Sequence, residues 1–239
     1  MISSLMHYTS RVWGRQGEGQ GRVRPAGSGG PSRLQREDMP LVDSEFVVFD
    51  TELTGLRAKK DSIVSIGAIR MRGDAILLGE TFYRLALPRT ALTGKSVVIH
   101  GITPTEAAAA PGMEALLPEF TAFCGDAVLV GHVVSIDLQF LNREMKELYG
   151  RALGNPAADT FKISQWLSER QDDRCAYHGG SPECYDLFSL AKKYHIPVQQ
   201  AHNALGDAFV TAQLFQRLMR KLSQWGITTQ ADLLRIGGA

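Results

Sequence analysis

The chain has 239 residues, 44% of them hydrophobic, and 26 basic side chains face 25 acidic ones for a formal net charge of +1. That length fits one sizeable domain with a tail, or at a stretch two small ones, and the apolar fraction allows a full core. The charge balance argues against a protein that coats nucleic acid by charge alone, and three cysteines argue against a disulfide framework and for a reduced, cytoplasmic setting. No stretch is apolar enough to span a membrane, and the N-terminus lacks the basic-then-apolar order of a signal peptide.

In chain order, ISSLMHYTSRVW (residues 2–13) has the apolar spacing of a short amphipathic helix, with Leu5, Met6, Val12 and Trp13 as contacts. The Gly-, Arg- and Gln-rich stretch from Gly14 to Ser32 reads as a flexible linker, so the folded domain starts near Leu41. Three strands follow: EFVVFDTE, then IVSIGAIRM (Ile63 to Met71) and AILLGETFYRL (Ala75 to Leu85), the last two a hairpin closed at Arg72-Gly73-Asp74. A loop carrying HGITP (His100 to Pro104) leads to a helix near Gly112 to Cys124. AVLVGH (Ala127 to His132) is a fourth strand, VSIDLQFLNREMKELYG a helix, and Ala157 to Asp159 a short fifth strand before a helix through Trp166. SLAKKYHI and NALGDAFVTAQLFQRLMRKL read as helices, and ITTQADLLRIGGA as a short terminal helix at most. A hairpin first and β/α alternation after it predict an α/β fold, a mixed five-stranded sheet flanked by helices. The loop CAYHGGSPEC (Cys175 to Cys184) contains His178 between two cysteines, but it lacks zinc-site spacing and reads as a surface loop.

Four carboxylates stand where apolar residues belong. Phe46 to Phe49 form a run suited to full burial, yet it ends in Asp50 and, two residues on, Glu52. Asp137 lies beside the stripe Ile136, Phe140, Leu141, Met145 and Leu148, and Asp207 sits one turn ahead of Val210, Leu214 and Leu218. An aspartate at a strand end or helix start often serves as a cap, so each alone has a structural explanation. Four gathered together would repel and raise one another's pKa values unless cations neutralise them, and hard oxygen ligands in that number suit Mg²⁺ or Mn²⁺. His202, five residues before Asp207 at the front of a helix, is placed to take a proton near physiological pH.

At these residues the chain resembles the DEDDh 3′–5′ exonucleases, the superfamily of the epsilon proofreading subunit of bacterial DNA polymerase III and of RNase T. FDTELTG is similar to that family's FDxETTG, GHVVSIDLQFL to GHNxxFDxxFL, and HNALGDA to HxAxxDA, while HGIT and the Asp159-Thr160 pair stand in the family's order. The resemblance covers about residues 44–222. It implies a ribonuclease-H-like fold, with an exonuclease domain over 41–225 preceded by the N-terminal helix and linker (1–40) and followed by a C-terminal extension (226–239). It implies two-metal hydrolysis of the 3′-terminal phosphodiester of single-stranded DNA or RNA, with DNA favoured, releasing nucleoside monophosphates. Asp50, Glu52, Asp137 and Asp207 would hold two ions, His202 would be the general base, and Thr51, Leu53, Thr54 and Leu56 would meet the terminal nucleotide. Three positions depart from the pattern: Leu53 replaces Thr, Val133 replaces Asn and Ile136 replaces Phe.

Two other classes of function stay open at this level. A nucleic-acid-binding or regulatory module with a decayed site predicts lost metal ligands, and none is lost. An interaction protein working through the N-terminal helix, which would join a DNA polymerase or a second copy of the chain, would leave the carboxylates idle.

Overall fold

A computed structural model of the protein describes residues 39–172, 184–199 and 201–239, all within one compact unit, Pro31–Ala239. The amphipathic segment at 2–13, the linker at 14–32 and His178 with most of its loop lie outside the described residues. The sheet has five strands in the order β3-β2-β1-β4-β5. They are β1 (Glu45–Leu53), β2 (Ile63–Arg72), β3 (Ala75–Leu85), β4 (Val128–Gly131) and β5 (Ala157–Asp159). β1 pairs antiparallel with β2 and parallel with β4, so the mixed sheet expected from the hairpin-first order is the one that forms. The hairpin turns at Gly73, whose φ of 54° is the left-handed region where a Cβ is costly.

Alternation along the central strand divides the core in two. Phe46 and Val48 point to one face and pack with Leu214, Phe215 and Leu218 of α7 (Ala204–Ser223), the Phe46 and Phe215 rings meeting edge-on at 5.1 Å. Val47 and Phe49 point to the other face, against α3 (Met113–Cys124) and α4 (Ser135–Tyr149). Phe46 to Phe49 are each at most 1% exposed, and burial at that level is worth about 1.5–3 kcal/mol for each large side chain. The run therefore holds the strand end, and whatever it carries, in a fixed place.

Three expectations need correction. The segment before α3 is not simply a loop: it holds α1 (Gly94–His100) and α2 (Pro104–Ala108), each opened by a capping box, Thr93 with Ser96 and Thr103 with Glu106. The SLAKKYHI helix is α6 (Leu187–Lys193), and it stops early because the chain turns left-handed at His195, φ 53°. Leu148 is 38% exposed, because the stripe of α4 rotates off the core at its last turn. Two further helices, α5 (Thr160–Asp172) and α8 (Gln230–Gly237), complete the domain. Residues 226–239 share its core: Leu233 is fully buried, and Ala239 N–H donates to the Ala157 carbonyl at 3.0 Å, beside β5. No helix among the described residues is long and apolar enough to cross a membrane.

Candidate active site

The alternation that buries Phe46 and Val48 under α7 continues into the next two even positions, so Asp50 and Glu52 project to the same face. There they meet Asp207 in the first turns of α7, and one carboxylate oxygen from each of the three lies within 4.8 Å of the others. α7 can come that close because β2 carries a glycine: a Cβ added at Gly67, the partner of Asp50 across the ladder, would stand 2.1 Å from the Leu205 backbone nitrogen. The start of the helix is fixed by Asn203, whose Oδ1 accepts from Gly206 N–H at 3.0 Å.

Asp137 arrives from the opposite face. The odd residue Thr51 points toward α4, and Asp137 Oδ1 accepts from both its backbone N–H, at 3.1 Å, and its hydroxyl, at 2.5 Å. The structure thus gathers three of the four expected carboxylates into one oxygen cluster and holds the fourth beside it on Thr51. The charge of Asp137 still reaches the cluster. Asp50 is raised well above the usual carboxylate range by burial, then by Asp137, Glu52 and Asp207. Glu52 is pushed up to about 7 by burial, then by Asp207 and Asp137. Burial also lifts Asp137 to about 7, although Thr51 pulls it down, and lifts Asp207 to about 6 against the His202 backbone N–H.

Two like charges within 4.8 Å repel by on the order of 3 kcal/mol at an effective dielectric of 20. Hydrogen bonds answer this repulsion only in part: Asp207 Oδ2 accepts from His202 N–H, but its buried Oδ1 has no partner among the described residues. An all-oxygen acidic cluster with an unpaired buried oxygen fits a divalent cation. It does not suit zinc as well, since neither a thiolate nor an imidazole is among its donors.

His202 stands at the rim. It is exposed, its φ of 62° is left-handed, its ring meets the edge of Phe188 at 5.5 Å, and its backbone N–H donates to Asp207 Oδ2 at 3.0 Å. Beside Glu52 opens a cleft of about 460 Å³, and the four expected nucleotide contacts Thr51, Leu53, Thr54 and Leu56 all line it. Only Leu56 among them is widely open, at 77% exposure; the Thr51 hydroxyl serves Asp137, and the Thr54 hydroxyl meets Thr90 and accepts from Ser62 N–H. Ile99 and His100 of α1 form the facing wall. His100 Nδ1 accepts from Ile102 N–H at 3.1 Å, which leaves Nε2 as the protonated nitrogen, and Nε2 is buried without a partner among the described residues. Burial lowers the pKa of His100, which favours its neutral form.

The sequence alone does not reveal Thr51 as a holder of Asp137 or the part played by Gly67, and it gives His100 and Asp159 only a place in a pattern. Asp159 Oδ1 accepts from Val133 N–H and Phe161 N–H, both at 2.9 Å, and so holds the left-handed turn at Val133, φ 54°, from which α4 departs. A glycine inside a strand was the readable signal for Gly67; the others depend on contacts far apart in sequence.

The family model described as "Exonuclease" matches residues 47–215, the span that contains every carboxylate of this site. The chain belongs to the exonuclease family. Among curated relatives, it is 31% identical over 207 residues to the DNA polymerase III subunit epsilon of Aquifex aeolicus, covering 86% of this chain and 96% of that protein. It is 33% identical over 196 residues to the PolC-type DNA polymerase III of Halalkalibacterium halodurans, covering 82% of this chain but only 13% of that far longer relative. Among solved structures of this family's fold, exonuclease X in complex with 5′-overhanging duplex DNA superposes with a TM-score of 0.61 at 23% identity, covering 80% of this chain and 98% of that one.

Proposed function

We propose that this exonuclease-family chain is a 3′–5′ exonuclease acting on single-stranded ends, DNA in preference to RNA, and releasing nucleoside monophosphates. The observation that carries the proposal is the cluster of Asp50, Glu52 and Asp207 oxygens within 4.8 Å, with Asp137 alongside and one buried oxygen unpaired. Those four side chains would hold two divalent cations, Mg²⁺ or Mn²⁺, which supply positive charge for the entering and leaving oxygens of an in-line displacement.

The chain's own residues account for the rest. The terminal nucleotide enters the cleft beside Glu52, where Leu56 offers an open apolar surface to a base and the backbone around Leu53 meets the sugar. His202, solvent-exposed at the rim, takes a proton from the attacking water on an imidazole nitrogen. Oxygen of that water bonds to the phosphorus of the terminal nucleotide as the bond to the O3′ of its neighbour breaks. The O3′ then takes up a proton from solvent, leaving a shortened strand and a 5′-monophosphate. Holding water, phosphate and base in register is the main contribution such a site can make. The DNA preference is supported by the relatives, which are DNA polymerase III proteins by name.

Attachment to a polymerase is part of the same proposal, since the chain covers nearly the whole of one epsilon subunit. The test is digestion of 5′-labelled single-stranded DNA and RNA of one sequence, with Mg²⁺ or EDTA, by wild type and His202→Ala. The proposal expects a ladder shortening from the 3′ end, faster on DNA, absent in EDTA and strongly slowed by His202→Ala. Release of the labelled 5′ nucleotide as the first product would refute the polarity, and equal rates for the two proteins would refute the base.

A further inference from the structure

α4 carries a second buried carboxylate. Glu144 lies seven residues beyond Asp137, two turns along the same face, and is 2% exposed. It sits between two guanidinium groups: Oε1 accepts from Arg143 Nη2 at 2.7 Å and Oε2 from Arg89 Nη2 at 2.7 Å. Each arginine reaches a different loop. Arg143 Nη1 donates to the carbonyl oxygens of Ala58 and, at 2.8 Å, Asp61, while its guanidinium lies 5.5 Å from the Phe140 ring centroid. Arg89 belongs to the loop leading into α1, and its Nη1 also meets Glu147.

Those two loops are the walls of the cleft. Thr54 and Leu56 stand on the first, and Thr93, which caps α1, begins the second wall with Ile99 and His100 behind it. They are tied to each other as well: Thr90 Oγ1 meets both Thr54 Oγ1 and Ser62 Oγ at 3.0 Å, and Thr54 N–H donates to the Ser62 carbonyl at 2.9 Å. Gly55 lies so close under Asp61 that an added Cβ would be 2.7 Å from its Oδ2.

We infer that Glu144 is a positioning residue: its buried carboxylate, bridging Arg89 and Arg143, locks both walls of the nucleotide cleft to the helix that delivers Asp137. The inference rests on the cleft's being the nucleotide pocket. A doubly paired buried carboxylate is intolerant of small shifts, because moving off either guanidinium leaves the buried charge of Glu144 less compensated. The walls and Asp137 therefore move as one body, and the register between a bound terminal nucleotide and the carboxylate centre is set by α4.

The test compares wild type with Glu144→Gln, which keeps size but loses the charge, and with Arg89→Lys, a change at a half-exposed position that keeps the charge but not the fork. Hydrogen exchange is expected to quicken at least roughly tenfold in 54–62 and 86–93 in both variants, with the core amides of β4 and α7 unchanged. KM for a short single-stranded oligonucleotide is expected to rise roughly five- to twentyfold with kcat within about twofold, the pattern of wall contacts to the nucleotide lost alike from the ground and transition states. A purely structural role would instead quicken exchange throughout the domain and lower kcat at constant KM, and that result would overturn the inference. So would unchanged exchange in the two loops, which is readable even if the wild type degrades nothing and the exonuclease proposal itself fails.

Discussion

Glu52→Gln isolates the electrostatic strain of the carboxylate centre. Burial, then Asp207 and Asp137, raise Glu52 from 4.5 to about 7, so the folded protein binds its proton more tightly than the unfolded chain does. For a carboxyl raised on folding, the stabilising contribution is complete below the unfolded value and is lost as pH climbs to the folded value. Without divalent cations, the wild type therefore loses stability between about pH 4 and pH 7 through this residue, by on the order of 3 kcal/mol. Glutamine titrates nowhere in that range. In EDTA at pH 8 the variant should melt higher than wild type by roughly 6–12 °C, given about 2–4 °C per kcal/mol for a domain of this size. Near pH 4 the two should melt together. His100 and His132, both lowered by burial, contribute in the opposite sense, their stabilisation being lost as pH falls, but they are common to both proteins and cancel in the difference. Adding Mg²⁺ at pH 8 should lift wild type and leave the variant nearly unmoved. Scanning calorimetry from pH 4.5 to 8.5 decides the matter: a difference between the proteins that does not change with pH would refute strain from crowded carboxylates.

Three further outcomes follow from the geometry. Thr51→Val removes the 2.5 Å hydroxyl bond to Asp137 and should lower kcat roughly 10- to 100-fold with little change in KM, as loss of a partner that orients a ligand does. Gly67→Ala forces α7 off β2, and should cost about 1–3 kcal/mol in urea unfolding and weaken Mn²⁺ binding, since Asp207 moves with the helix. Val133→Asn places a residue tolerant of positive φ at the φ of 54°, and should raise stability by about 1 kcal/mol in thermal melts without altering the Asp159 contact.

The strands and the long helix were legible because their apolar periods are strong: the run Phe46 to Phe49, the hairpin at Gly73 and the stripe Val210, Leu214 and Leu218 all lie where the pattern sets them. The same periodicity exposed Asp137 and Asp207, each a carboxylate on a face that had to be buried. α1 and α2 escaped because helices of seven and five residues are too short to show a period, although Thr103-Pro104-Thr105-Glu106 carries a capping box and Pro at the first turn. Glu144 satisfies the argument applied to Asp137, a carboxylate between Phe140, Leu141 and Met145, but its meaning depends on Arg89, 55 residues away in sequence. Thr51 is harder still. Only the arrival of α4 at the end of β1 makes its hydroxyl the anchor of Asp137.

The central claim is that this carboxylate centre removes nucleotides from 3′ ends. It is tested most directly by single-turnover release of the 3′-terminal nucleotide from single-stranded DNA, with wild type and Asp207→Asn compared in Mg²⁺. The predicted result is prompt release of a 5′-monophosphate by wild type, and a rate at least about a thousandfold lower for the variant, as expected when charge stabilisation at the reacting phosphate is lost. Equal release by the two proteins would contradict it.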